Sequence, residues 1–187
     1  NGSIVLITKG GNITANTDVD ANGSGNILLQ AQGLSKDIVL NANVKSGNGN
    51  ISILAANSII QNAETSILTT NGTIDIEASA GSITMNDNSK ADTGANAGNI
   101  RYMAKTDIFV GGILAGTGNV SIIAQTGSIL DTGDTYKDIQ ANSLRMNSET
   151  GIGQLGIDTS NPLEIAVFTL TGHTGNNELI LLKMTIL

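Results

Sequence analysis

The side chains able to act together as acid, base or electrophile are few, and most fall in one short window. Asp75 and Glu77 lie two apart in Gly72-Thr73-Ile74-Asp75-Ile76-Glu77-Ala78. In a strand that spacing puts both on one face. Arg101 holds the position matching Asp75 in a later, similar segment, Gly98-Asn99-Ile100-Arg101-Tyr102-Met103-Ala104. Two carboxylates and a guanidinium on one face are the kind of constellation that cuts polysaccharides. Neither a histidine nor a second acidic segment joins them. The set therefore reads first as a charge pair between neighbouring strands on a solvated face, contributing about 0.2–1 kcal/mol.

Asp131-Thr132-Gly133-Asp134, followed by Asp138, offers oxygen ligands in a turn and so a candidate calcium site. The glycine- and aspartate-rich nonapeptide repeat that binds calcium is absent, and Asp-Gly turns occur for backbone reasons alone. His173 is the single histidine and falls in Thr171-Gly172-His173-Thr174-Gly175, read as a loop. One histidine without cysteine or clustered carboxylates makes neither a zinc site nor a triad. Gly111-Gly112 and Gly116-Thr117-Gly118 lack the lysine and following helix of a phosphate loop. The sequence thus nominates no catalytic residue, no metal ligand and no cofactor.

What would position such side chains is a repeat. Gly25-Asn26-Ile27-Leu28-Leu29-Gln30-Ala31 returns as Gly49-Asn50-Ile51-Ser52-Ile53-Leu54-Ala55, in the two segments given above, and as Gly118-Asn119-Val120-Ser121-Ile122-Ile123-Ala124. Gly2-Ser3-Ile4-Val5-Leu6-Ile7-Thr8 is a worn first copy. The leading aliphatic residues sit at 4, 27, 51, 74, 100 and 120, in steps of 23, 24, 23, 26 and 20. A period of this size marks a solenoid. Within each copy the alternation has period two, so the first, third and fifth residues of the strand point inward. Leu28, Ser52, Asp75, Arg101 and Ser121 vary in chemistry, as outward positions should.

A second inward column runs Ile13, Ile38, Ile59, Ile83, Ile108, Ile129 and Ile152, and a weaker third runs Val19, Val44, Ile67, Ile113 and Ile139. Several members follow Gly-Asn or Gly-Ser pairs (Gly11-Asn12, Gly81-Ser82, Gly127-Ser128), where glycine would supply positive φ at a corner. Between Ile67 and Ile113 the third column lacks a member, and residues 86–96 read as a bulging loop. Three short strands per turn predict an all-β chain. It would form a single right-handed parallel β-helix over residues 1–187, with roughly eight rungs of about 23 residues. Rungs are regular over 1–130 and less so over 131–187. There Leu144 and Met146 fit the first strand, Ile152 the second, and Leu163 and Ile165 the third. Pro162, the only proline, must stand at a strand start or corner. The apolar end, Leu179 to Leu187, either covers the last rung or expects another.

Composition narrows the function classes. A net charge of −7 disfavours nucleic acid and anionic membranes, and aromatics at 2% without tryptophan disfavour stacking platforms. No apolar run is long enough to span a bilayer. With no cysteine, stability in an exported protein would not rest on disulfides. The chain starts without methionine or a leader-like segment and reads as an internal piece or processed product.

The repeated Gly-Asn-Ile-x-Ile-x-Ala strand, the Gly127-Ser128-Ile129 turn, and Thr150-Gly151-Ile152-Gly153 followed by Asn161-Pro162-Leu163-Glu164 resemble the filamentous haemagglutinin-type exoproteins of bacteria. The resemblance covers nearly the whole chain. It implies a right-handed β-helix, two-partner or autotransporter secretion through an outer-membrane transporter, and adhesion at the cell surface. On this reading the chain is a structural rod segment of an extracellular adhesin, not an enzyme, contacting a host-cell, neighbour-cell or glycan receptor. A polysaccharide-active β-helix enzyme and a passive spacer are the alternatives. Two structural expectations accompany it. Asn12, Asn26, Asn50, Asn99 and Asn119 would stack as an amide ladder. The outward column Ile7, Gln30, Leu54, Glu77, Met103, Ile123 would be covered by a loop, serve lateral association or form part of a receptor face, while open end rungs would allow end-to-end self-association.

Overall fold

The computed structural model describes residues 2–96, 98–133, 137–153 and 162–175, and the backbone of Lys183–Thr185. They form strands and turns with no helix, and so no helix long and apolar enough to cross a membrane. The chain coils into a parallel β-solenoid of three faces.

The long face is built from five-residue strands such as Ile27–Ala31, Ile51–Ala55, Ile74–Ala78 and Ile100–Ala104. Each pairs in parallel with the equivalent strand one turn on, and the register sets like on like. Ile4 faces Ile27, Ile27 faces Ile51, Ile51 faces Ile74, Ile74 faces Ile100, and Ile100 faces Val120. Leu144 and Leu170 continue the column, which closes seven turns, a rod about 34 Å long at the usual strand spacing. The second face stacks Ile13, Ile38, Ile59, Ile83, Ile108, Ile129 and Ile152 in the expected order. Nearly all inward residues are buried, because each turn is covered by the next. In the first described turn Leu6 is 48% exposed, where its column mates Leu29 and Ile53 are 1% and 0%.

The third face corrects one expectation. Residues 86–96 are not simply a loop, because Lys90–Asp92 is a strand and Ala91 stands between Ile67 and Ile113 in register. A fully buried alanine fills an aliphatic position, which the hydrophobic pattern alone does not flag. Length changes are absorbed at the corners. Four residues (86–89) join Met85 to Lys90, whereas one, Gly111, joins Val110 to Gly112 in the next turn. The columns keep register throughout.

After Ile129 the pattern tightens. Between the paired positions Leu114 and Asn119 the corner has four residues (115–118), but between their partners Gln140 and Ser143 it has two (141–142). The chain therefore runs from the third face into the long face as one strand, Ile139–Ser148, and the two faces merge into a single sheet. Glu164–Thr174 repeats this, led in by Pro162 and the buried Leu163, and Lys183–Thr185 stacks on its first residues. The rest of the apolar end lies outside the described residues.

The glycines that lead into the long-face strands act through space, not through φ. Gly25, Gly49, Gly72, Gly98 and Gly118 each sit on the carbonyl oxygen of the glycine one turn below, where a Cβ would collide. None of them has positive φ, nor do Gly11, Gly81 and Gly127. Buried hydroxyls complete the column. Ser46 Oγ donates to the Gly25 carbonyl (2.7 Å) and accepts from Gly49 N–H (2.9 Å); Thr69 does the same for Gly49 (2.8 Å) and Gly72 (3.1 Å).

Candidate functional site

Strand starts carry the polar order of the molecule. At many strand starts the residue before the strand supplies a side-chain oxygen that accepts the backbone N–H of its counterpart one turn on. On the long face Ser3 accepts from Asn26 (3.1 Å), Asn26 from Asn50 (2.8 Å), Asn50 from Thr73 (2.9 Å) and Asn99 from Asn119 (2.9 Å). The second face repeats it with Asn12 to Asp37, Asp37 to Ser58, Ser58 to Ser82 and Asp107 to Ser128. On the third face Asp18 accepts from Asn43, and Asn43 from Ser66. The expected asparagine column thus exists, but mainly as acceptors for main-chain donors. A side-chain amide ladder proper stands elsewhere. Asn41 donates to Asn16 (2.7 Å), Asn62 to Asn41, and Asn86 to Asn62 (3.0 Å). Its signal is an asparagine directly after each second-face strand, ending where Gly111 takes that place.

The carboxylates and guanidinium nominated by spacing do meet. Register places Arg101 beside Asp75 and Met103 beside Glu77. Arg101 binds Asp75 through two bonds, Nε to Oδ1 at 2.7 Å and Nη2 to Oδ2 at 3.1 Å, and Nη2 also reaches Glu77 Oε2 at 2.8 Å. The hydrogen bonds to Asp75, then Glu77, hold the guanidinium pKa above its ordinary value. Both acids are engaged as acceptors of one cation, in a half-buried clasp.

The acidic turn organises differently from its sequence reading. Asp131 and Asp138 come together, and Glu164 from the next turn joins them, with carboxylate oxygens within 4.8 Å of one another. Asp134 lies outside the described residues. Asp138 is buried at the start of the third-face strand, and its Oδ2 accepts Glu164 N–H at 2.7 Å, the strand-start role of Asp18 and Asn43. An all-oxygen set of this kind suits a hard cation over a soft one. Spacing alone missed Glu164; its place beside Asp138 follows from the later alignment of Ile139 with Ile165.

His173 is not in a loop. It is an exposed member of the strand Glu164–Thr174, stacked on Asn147. The outward column from Ile7 to Ile123 is half-buried except at Ile7, and Gln30 and Glu77 interrupt it, so only Met103 and Ile123 are apolar neighbours. Between Thr73 and Thr171 the long face carries an open trough of about 560 Å³. Compared with family models, curated proteins and solved structures, the chain matches none.

Proposed function

We propose that this chain is a rod segment of a secreted or cell-surface bacterial adhesin, attaching to cells, surfaces or glycans. The observation that carries the reading is the division of labour along each strand. The leading inward column stays aliphatic over seven turns, from Ile4 to Leu170, while the outward residues stacked above one another, Leu28, Ser52, Asp75, Arg101, Ser121 and Arg145, change from turn to turn. A stiff scaffold with a variable lateral surface suits display and contact. The resemblance to filamentous haemagglutinin-type exoproteins adds a right-handed coil, export with the help of an outer-membrane transporter, and an extracellular location.

Against the polysaccharide-cleaving alternative stands the Arg101 clasp, which occupies both Asp75 and Glu77. A general acid or base must be within reach of substrate, not committed to a neighbouring cation. The test uses beads coated with the chain, offered to cell monolayers and to a panel of immobilised polysaccharides. Attachment without new chain ends is the expected result. New chain ends would overturn the adhesin reading in favour of an enzyme, and attachment to nothing would overturn it in favour of a spacer.

A further inference from the structure

In a strand, the residues before and after an inward residue both point outward. On the long face this produces two parallel columns of outward side chains with a channel between them. Over five successive strands the channel opens into the trough of about 560 Å³. One wall runs from Thr73 to Thr169 and the other from Asp75 to Thr171, with Ser121 as the short side chain between Arg101 and Arg145. Five strands at the usual spacing give a trough about 19 Å long, parallel to the rod axis.

The two cations in it differ. Arg101 is neutralised by Asp75 and Glu77. Arg145 is exposed and, among the described residues, has no hydrogen-bond or ion-pair partner. It is an open guanidinium in a chain of net charge −7. Around it the walls offer hydroxyls and an amide, from Ser121, Ser143, Thr171 and Asn119. The floor is mid-sheet backbone, already paired on both sides.

We propose that this trough binds an extended, carboxylate-bearing polysaccharide, with a uronate held by Arg145 and ring hydroxyls by the serines and threonines of the walls. An arginine fork matches a carboxylate in two bonds, and hydroxyl-rich walls match a hydroxyl-rich chain. An extended peptide fits worse. It would need a free sheet edge for its backbone and apolar pockets for its side chains, and the trough has neither. With no aromatic platform each contact is weak, so the full length of the trough must be engaged. The inference deepens the adhesin reading and rests on it for its biological setting.

The experiment is fluorescence anisotropy of a labelled ten-unit oligogalacturonate titrated with the chain. We expect saturable binding, weakened at least tenfold by Arg145→Gln, partly restored by Arg145→Lys and abolished by Ser121→Trp, which fills the trough without changing its charge. A neutral dextran of equal length should not bind. Arg145 is exposed, so far-UV spectra and melting of R145Q should match the parent. Equal binding by R145Q and the parent, or tighter binding of a polyglutamate peptide than of the oligogalacturonate, would overturn the proposal. Absence of oligogalacturonate binding while coated beads still attach to cells or polysaccharides overturns this inference alone; absence of both also removes the adhesin reading.

Discussion

A Cβ placed on Gly49 would overlap the carbonyl oxygen of Gly25, one turn below. The two glycines leave no room for a side chain between turns on the long face, and the same contact recurs from Gly2 to Gly118. Gly49→Ala should therefore lower stability by about 1–3 kcal/mol through forced separation of the turns. Gly2→Ala is the control, since no atom lies within 4 Å of its added Cβ; it should change stability by less than about 0.5 kcal/mol. Urea midpoints of the two variants decide the matter, and equal effects would sink it.

Asn50 Oδ1 accepts the Thr73 N–H at 2.9 Å. Asn50→Ala should cost about 1 kcal/mol by leaving that donor to water alone. Asn50→Asp should recover most of the loss, because Asp37 and Asp107 do the same work at other strand starts. Thermal melts of the pair check this; a deficit in the aspartate variant as large as in the alanine variant would count against the acceptor role.

Tyr102 is completely buried, and its hydroxyl has no hydrogen-bond partner among the described residues. Tyr102→Phe removes an unsatisfied polar group at nearly constant volume. It should stabilise by about 1 kcal/mol, raising Tm by roughly 2–4 °C.

Burial also pushes the Tyr102 pKa above its ordinary value of 10.0. Above pH 10 the unfolded chain releases this proton while the folded chain keeps it. The Tyr102 contribution is therefore intact below pH 10 and falls as pH rises beyond it, by about 1.4 kcal/mol per unit. The advantage of Tyr102→Phe over the parent should widen in step across that window. A pH-independent difference would mean that the hydroxyl is not isolated as described.

Arg101→Gln leaves Asp75 and Glu77 side by side without their cation. The expected cost is about 1 kcal/mol at low salt, shrinking as salt screens the pair of acids. A gain of polysaccharide cleavage in this variant would show the clasp to be masking a catalytic pair.

The solenoid was legible because its inward code is redundant: each position recurs in every turn, so isoleucine at 27, 51, 74 and 100 declares a column that no single strand could. Ala91 was missed because a methyl group carries little hydrophobic signal, although register gives it the same station as Ile67. Gly81 and Gly127 were seen as corner residues but given the wrong reason, since crowding between turns leaves no trace in one turn's own conformation. The Arg101 clasp followed from strand alternation plus the repeat step. Glu164 beside Asp138 did not, although Ile165 already stood in the third column, because oxygen ligands were sought within one turn and Glu164 reaches the aspartates from the next. His173 read as a loop because glycines flank it, yet Gly172 merely stacks on Met146 within a strand.

The bonds joining successive turns run along the rod, so a pull between its ends loads the turns in series. The most weakly held turn opens first, and the 23 residues between Ile4 and Ile27 would release about 80 Å of slack at full extension. Each further turn repeats the event. A rod of this build meets tension as a stepwise extensible tether, lengthening many-fold as successive turns open.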